Sequence, residues 1–160
     1  MPSDRVSATR RIAAPAGAIF LIVSSPAGHV EIDGSGMLEA APDSRPLTAV
    51  GETFDIDMDR EPLGDIPGLG KYKVRNTVTR IEPDRRFEWA VGGEDSPPVG
   101  HVYGWLLEPV SETETDVTNY CDWTDIGDDM RNWKPWPIVP VEMLEQSVEN
   151  LERIATGRAS

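Results

Sequence analysis

The sequence contains little that supports covalent or metal chemistry. It has one cysteine, Cys121, and two histidines, His29 and His101, among 160 residues. One cysteine cannot form a disulfide within the chain and fits a reducing compartment. No apolar run approaches the roughly 18 residues that a membrane-spanning helix needs, and residues 1–6 lack the apolar core of a secretory signal. These absences predict a soluble, cytoplasmic protein.

The charge balance excludes two classes of partner. The formal net charge is −13, and a surface this acidic repels phosphate backbones and anionic lipid head groups. We therefore predict no nucleic-acid partner and no membrane association. With 39% hydrophobic and 27% charged residues, the composition is that of an ordinary globular protein. A length of 160 residues suits a single domain, residues 1–160, around one core.

One acidic motif resembles the start of a calcium-binding loop. Asp55, Asp57 and Asp59 alternate along the chain, as the first ligands of such a loop do. The loop would also need a glycine and a glutamate where this chain has Arg60 and Ile66. Apolar residues between the aspartates favour the solvent face of a strand instead. We predict that no metal binds there.

The other candidate motifs are also incomplete. His29 and His101 have no partner at metal-ligand spacing, and Gly70-Lys71 is followed by Tyr72 where a phosphate loop needs serine or threonine. Cys121 has no histidine close in sequence, so we interpret it as a packed core thiol. The sequence therefore predicts no metal and no cofactor.

The N-terminal third contains a helix that is interrupted after two or three turns. A predicted strand, residues 5–12, precedes a helix from Pro15 to about Ser24 and a second helix from Pro26 to near Ile32. Proline is tolerated at a first helical turn because its missing N–H has no partner there. Helices this short cannot cover a sheet, so we predict that they support a longer helix at one end of it.

The middle of the chain alternates with the period of strands. Polar and apolar residues alternate along these segments, which is typical of an antiparallel sheet with one buried face. Residues 61–70 are rich in proline and glycine and predict a loop. The predicted strands are Thr53–Asp59, Lys71–Ile81, Arg86–Val91, His101–Leu107 and Thr115–Trp123.

The C-terminus predicts one long amphipathic helix. Pro140 is placed in its first turn, and Gly157 is its predicted stop signal, since glycine commonly ends helices. About 16 residues would span roughly 24 Å. Apolar residues recur at helical spacing at Val141, Leu144, Val148, Leu151 and Ala155.

Four segments together resemble the START-like, or SRPBCC, superfamily, and within it the polyketide cyclase/dehydrase-like bacterial branch. They are Val6–His29, Val78–Trp89, Tyr103–Trp123 and Glu142–Ala155. The resemblance implies an α+β helix-grip fold: a seven-stranded antiparallel sheet curved around a long C-terminal helix, with two short helices after the first strand. It also implies a cavity between sheet and helix. Members of the superfamily bind lipids, sterols, polyketides and other hydrophobic molecules, and some are enzymes.

Three polar residues on otherwise apolar strand faces stand out: Asn76, His101 and Asn119. Each needs a hydrogen-bond partner if it is buried. That partner is either a structural one in the protein or a ligand whose oxygen atoms the residue orients. The predicted ligand-binding residues are Tyr72, Val74, Asn76, Trp89, His101, Tyr103, Trp105, Asn119, Trp136 and Leu144.

Two segments are candidates for the mouth of the cavity. Trp123, Trp133 and Trp136 lie on a connection stiffened by prolines, where they either pack the sheet edge or frame an opening. The loop Pro62–Gly70 is a candidate for the opposing lid.

Three functions remain open from the sequence. The first is binding of a hydrophobic small molecule, which needs apolar walls and a few donors. The second is a cyclase or dehydratase, which needs an inward-facing acid or base such as His101 or Asp122. The third is a partner-binding module, which needs an exposed apolar patch. The apolar strand faces favour the first.

Overall fold

The computed structural model describes residues 4–157. Within those residues the chain forms seven strands and four helices, and none of these helices is long and apolar enough to cross a membrane. The elements are, in chain order, β1 (Arg5–Ile12), α1 (Ala16–Val23), α2 (Pro26–Ile32), β2 (Leu38–Ala40), β3 (Thr53–Asp59), β4 (Lys71–Glu82), β5 (Arg86–Gly93), β6 (Val102–Pro109), β7 (Thr115–Asp122), α3 (Asp128–Trp133) and α4 (Val141–Ala155).

The seven strands form one antiparallel sheet in the order β1-β7-β6-β5-β4-β3-β2. The first strand pairs with the last long strand over its whole length, from Arg5 opposite Asp122 to Ile12 opposite Thr115. Every other neighbouring pair in this order is also antiparallel. The sheet curves around α4. The α+β helix-grip architecture that the sequence predicted is confirmed.

The apolar stripe of α4 holds the helix against one side of the sheet. Leu144, Val148 and Leu151 are buried, and α4 packs against β1, β7, α1 and α2. The middle strands, β3 to β5, are not among its main neighbours. Because the helix covers only one side of the concave face, space remains in front of the other strands.

The junction after α2 fastens the short helices to α4. The backbone N–H of Gly34 donates to Ser147 Oγ over 2.8 Å, and Asn150 Nδ2 donates to the carbonyl oxygen of Ile32 over 3.2 Å. A Cβ atom on Gly34 would lie 2.6 Å from the backbone nitrogen of Ser147, so only glycine allows this approach. These contacts agree with the expectation that the interrupted helices support the long one.

The outer face of the sheet also buries side chains, contrary to the prediction of one buried face. Tyr120 and Glu88 lie on strands either side of Gly104, and both are buried. A side chain at position 104 would overlap the Tyr120 ring. The Tyr120 hydroxyl donates to Glu88 over 2.6 Å, and Arg86 Nε donates to the same hydroxyl over 3.1 Å. This outer cluster was missed because it depends on a glycine in a neighbouring strand.

Two elements were not predicted, and several boundaries differ by one or two residues. β2 has only three residues and α3 buries none of its own, so neither shows an apolar period. Pro15 and Pro140 lie at the N-cap rather than in the first turn. Gly157 has a φ of +70° just beyond α4, as the predicted stop requires.

The three alternating aspartates form a ladder of ion pairs. Asp55 accepts from Arg75 Nε over 2.7 Å, Asp57 lies 3.6 Å from Lys73 Nζ, and Asp59 lies 3.4 Å from Lys71 Nζ. Each cation is the direct partner of its aspartate in the β3–β4 register. Lysine and arginine therefore already neutralise these carboxylates. That no metal binds there stays a prediction.

The packing of α4 gives a direct stability test. Leu151 is fully buried, so Leu151→Ala should lower the free energy of unfolding by about 2–5 kcal/mol through lost burial and the cavity it leaves. Urea unfolding followed by circular dichroism measures this loss. Glu145→Ala, at an exposed position of the same helix, is the control and should change stability by less than about 0.5 kcal/mol. Equal effects in the two variants would contradict the assignment of Leu151 to the core.

Candidate functional site

A cavity of about 240 Å³ lies between the concave face of the sheet and the N-terminal half of α4. It occupies the space that α4 leaves in front of the middle strands. All ten residues predicted to bind a ligand line it: Tyr72, Val74, Asn76, Trp89, His101, Tyr103, Trp105, Asn119, Trp136 and Leu144. Their contact with a ligand remains a prediction.

Several lining residues were not predicted. Three of them have ionisable side chains: His29, Asp33 and Arg60. Two more lie in the first turns of α4: Met143 and Ser147. The helical spacing of α4 places positions 143 and 147 beside Leu144, so the sequence could have predicted these two as lining residues. No sequence pattern points to His29 or Arg60, because each reaches the cavity only through the fold.

Aromatic rings form much of the cavity wall. Trp89 stacks on Tyr103 with ring centroids 6.1 Å apart. The His101 ring contacts Trp136 at 4.9 Å and Tyr103 at 5.7 Å. Trp136 is held in place by its Nε1, which donates to the carbonyl oxygen of Met130 over 3.0 Å. The wall is therefore a set of rings fixed by contacts with one another and with the backbone.

Of the three tryptophans proposed for the mouth, two line the cavity. Trp136 and Trp133 do so, and Trp133 is 48% exposed, which places it at the open end. Trp123 is buried behind Trp136, with ring centroids 6.2 Å apart. It therefore packs the core, which was the structural alternative for this residue.

The three polar residues singled out in the sequence have different surroundings. Asn119 Nδ2 donates to the carbonyl oxygen of Gly104 over 3.0 Å, so this amide has a structural partner. Asn76 Oδ1 and His101 Nδ1 are buried and have no hydrogen-bond partner among residues 4–157. Both residues line the cavity, but these two atoms have almost no accessible surface and therefore face the protein rather than the open space.

Both histidines are held neutral by burial. Burial lowers the pKa of His101 to about 4 and that of His29 to about 4. His29 Nε2 lies 2.6 Å from the carbonyl oxygen of Val23, which can only accept, so this nitrogen carries the proton. At neutral pH neither ring is a source of positive charge in the cavity.

Burial also keeps the thiol and phenol of two neighbouring strands protonated. Cys121 lies opposite Tyr103 in the β6–β7 register. Burial raises the pKa of the Cys121 thiol to about 12 and the pKa of Tyr103 well above its ordinary value. Because a thiolate is the reactive form of cysteine, Cys121 is unsuited to nucleophilic catalysis, as the sequence predicted for a core thiol.

Three charged residues join the two sides of the open end, and we call them the Asp65 clamp: Arg60, Asp65 and Lys134. Arg60 donates to the Asp65 carboxylate from Nε over 2.7 Å and from Nη2 over 2.6 Å. Lys134 Nζ donates to the same carboxylate over 2.6 Å, across 69 positions of sequence. The clamp ties the loop proposed as a lid to the segment that carries Trp133. A lid role for this loop stays a prediction.

No profile of an established protein family matches the chain. In structure, it is similar to a protein from Arthrobacter aurescens, with a TM-score of 0.67 at 15% identity over 99% of this chain and 89% of that chain. It is also similar to norcoclaurine synthase from Thalictrum flavum in complex with dopamine and hydroxybenzaldehyde, with a TM-score of 0.60 at 15% identity over 98% of this chain and 88% of that one. The chain therefore has a START/Bet v1-like fold.

In sequence, the chain is 34% identical over 123 residues to an uncharacterized protein of Mycobacterium tuberculosis strain H37Rv. It is 33% identical over the same length to an uncharacterized protein of strain CDC 1551. Each match covers 77% of this chain and 49% of the relative. The chain thus spans about half the length of the curated relatives it matches.

The Asp65 clamp generates a prediction with a defined pH dependence. Arg60, followed by Lys134, lowers the pKa of Asp65 well below its usual range despite its partial burial. The stability that a carboxylate with a lowered pKa adds is fully present above its unfolded pKa of about 4, and it is lost as the pH falls from there through the lower folded pKa. Asp65→Asn should cost about 1–3 kcal/mol at pH 7 and distinctly less near about pH 2.

Urea unfolding of both proteins at the two pH values measures this difference. Asp125→Asn changes an exposed aspartate in the same way and should leave stability nearly unchanged at both. An Asp65→Asn loss that is the same at pH 7 and at about pH 2 would show that the clamp is not electrostatic.

Proposed function

We propose that this chain binds a hydrophobic small molecule, such as a lipid, a sterol or a polyketide-like compound, in the cavity between the sheet and α4. The observation that carries the proposal is the cavity itself, about 240 Å³ in size and walled by aromatic and aliphatic side chains. Ligand pockets combine such apolar walls with a few polar groups that orient the bound molecule. Asn76 and His101 supply polar groups of that kind.

The size of the cavity supports a function other than packing. Protein interiors are close-packed, with few voids larger than a water molecule. A space of 240 Å³ leaves the side chains that line it without packing partners on one side. A ligand that fills the space recovers the missing contacts.

The finer assignments follow from the same reasoning. The four matching segments and the START/Bet v1-like fold support membership of the polyketide cyclase/dehydrase-like bacterial branch. The single sheet with one covering helix supports one START-like domain over residues 1–160. The single cysteine supports a cytoplasmic location. Each of these is part of the proposal.

A cyclase or dehydratase is the second candidate, and one observation favours it. His101 lines the cavity, and a histidine is the side chain that most often serves as a general base. The lowered pKa of this histidine, about 4, makes it a weak base at neutral pH, since the best catalytic pKa lies near the working pH. Asp122, the other candidate, pairs with Arg5 Nε at 3.0 Å and does not line the cavity. Binding without turnover is therefore the better-supported function.

The experiment that tests binding is native mass spectrometry of freshly purified protein, followed by extraction of what co-purifies. A defined 1:1 adduct in the mass range of a small hydrophobic molecule is the expected result. Purified protein that shows no adduct and no saturable binding of lauryl alcohol, cholesterol or naphthol would contradict the proposal.

Filling the cavity should abolish binding. Val91 lines the middle of the cavity wall, and Val91→Trp should remove most of the saturable change in tryptophan fluorescence caused by whichever of the three probes binds. Val50→Trp adds the same indole at a position that is 62% exposed, and this control should bind normally. If Val91→Trp binds as well as the control, the ligand lies elsewhere.

Turnover separates the carrier from the enzyme. We expect no conversion of a polyketide-like substrate at any pH. If His101 were a general base, its lowered pKa of about 4 would make activity rise as the pH increases through that value, and His101→Ala would abolish conversion while leaving binding in place. Observing both effects by product analysis would establish the enzyme instead.

A further inference from the structure

Two weakly packed segments border the open end of the cavity: loop 61–70 and the α3 segment, residues 128–134. α3 buries none of its residues and has no extensive contact with another helix or strand. Loop 61–70 turns at Gly64 and Gly68 with φ values of +73° and +86°, and a Cβ atom at either position would meet nothing within 4 Å. Both segments can therefore move without disturbing the core.

One polar contact joins these two segments. It is the bond of 2.6 Å from Lys134 Nζ to the Asp65 carboxylate. Within residues 4–157, no other hydrogen bond connects loop 61–70 to the α3 segment. Leu63 on the loop and Trp133 on the α3 segment both line the cavity. Among polar contacts, closure of the open end therefore depends on a single charge-assisted bond.

The geometry favours separation of the Asp65 clamp at Lys134 rather than at Arg60. Arg60 lies at the base of the loop and holds Asp65 by two bonds, whereas Lys134 holds it by one. Paired bonds of this kind between arginine and a carboxylate are the stronger ones. When the lysine bond breaks, Asp65 keeps Arg60, and Lys134 keeps the Trp133 ring, whose centroid is 4.6 Å from Nζ. Both halves of the opened site retain a partner, which makes opening less costly.

The position of the Lys134–Asp65 bond makes it sensitive to salt. The side chains of Lys134 and Asp65 are 22% and 16% exposed, so water and ions reach both groups without surrounding them. Dissolved ions screen a charge pair at such a position, whereas they do not weaken contacts between apolar rings. Raising the ionic strength should therefore favour separation of the two segments.

His101 lies behind the α3 segment and is covered through Trp136. The Trp136 ring is 4.9 Å from that of His101, and its Nε1 donates to the carbonyl oxygen of Met130 in the α3 segment. Burial alone lowers the pKa of His101 to about 4. The pKa of His29 is also lowered to about 4, but this ring donates to the carbonyl oxygen of Val23, outside both segments. Movement of the α3 segment should therefore expose His101 to water far more than His29.

We propose that the bond between Lys134 and Asp65 is a latch on the cavity: when it breaks, the α3 segment moves away from loop 61–70 and molecules enter or leave, and when it forms, a bound molecule is enclosed. What passes through the opening rests on the proposed function, whereas the motion itself does not. Neither Lys134 nor Asp65 lines the cavity. The latch therefore sets the rates of exchange and leaves the affinity nearly unchanged.

Titration of the two histidines by proton NMR tests the motion without any ligand. Lys134→Met and Asp65→Asn each remove the latch, and losing one charge-assisted bond should raise the open population about tenfold. Because water then reaches the ring, both variants should raise the pKa of His101 by up to about 1. The sign excludes a purely electrostatic effect, since loss of the Asp65 carboxylate alone would lower the pKa of a nearby histidine.

Two controls accompany this titration. Lys73 pairs with Asp57 in the ladder of ion pairs on β3 and β4, so Lys73→Met should leave both histidines unchanged. A salt series on the wild-type protein guards against variants that fail to fold. Between about 0.05 and 1 M sodium chloride, opening should raise the pKa of His101, whereas screening of an acidic protein should lower that of His29.

Three results of the titration would contradict the latch. The first is a pKa of His101 that rises in Lys134→Met and falls in Asp65→Asn, as charge alone requires. The second is a rise that His29 shares equally, which would mean that the whole domain loosens. The third is a pKa of His101 that neither variant nor salt changes.

Stopped-flow fluorescence with naphthol tests the effect on exchange. Lys134→Met should raise the association and dissociation rates of naphthol together, each about tenfold, because both pass through the open state. The Kd should change less than about twofold, and Lys73→Met should change neither rate. Wild-type rates in Lys134→Met would place the entry elsewhere and overturn the latch. If no probe binds and nothing co-purifies, cavity binding is wrong, and the His101 titration alone decides whether the α3 segment opens at Lys134.

Discussion

The position of α4 on the sheet is the constraint on which the rest of the structure depends. Val148 and Leu151 hold the helix to the side formed by β1 and β7, where its apolar stripe is fully buried. The fastening of Gly34 to Ser147 brings the short helices against the same helix. Had the helix lain along the middle of the sheet, its side chains would have filled the concave face. Because it lies to one side, an apolar space remains between the strands opposite and the elements that face them.

The cavity combines rigid walls with an opening held by charges. Ring-to-ring contacts fix the aromatic wall around His101, whereas the open end is joined by the Asp65 clamp, in which one carboxylate serves two cations. Packed rings move only when the core is disturbed, but an ion pair near solvent weakens as salt rises. The two parts of the site are thus stabilised by different forces, and ionic strength acts mainly on the opening.

Much of the architecture was predictable because alternation and helical spacing are local properties of the chain. Phe54, Ile56 and Met58 could be assigned to one face without knowledge of their neighbours, and eight of the ten predicted wall residues came from such strand faces. The Asp65 clamp could not be predicted, because Lys134 meets Asp65 only after the sheet and α4 are in place. The place of His29 on the cavity wall could not be predicted either, since a lone histidine in a short helix forms no sequence pattern. Which polar residues would stay unpaired, Asn76 and not Asn119, depended on a carbonyl group of the adjacent strand.

The buried thiol of Cys121 has a practical consequence for following this molecule in solution. It is the chain's one cysteine, it is 1% exposed, and its raised pKa of about 12 keeps it unreactive while the sheet is closed. A thiol reagent can modify it only when β6 and β7 separate locally or the whole domain unfolds. The rate of modification therefore reports the free energy of separating β6 from β7. Any molecule that occupies the cavity should slow the modification. The protein carries its own reporter of occupancy, with no added label.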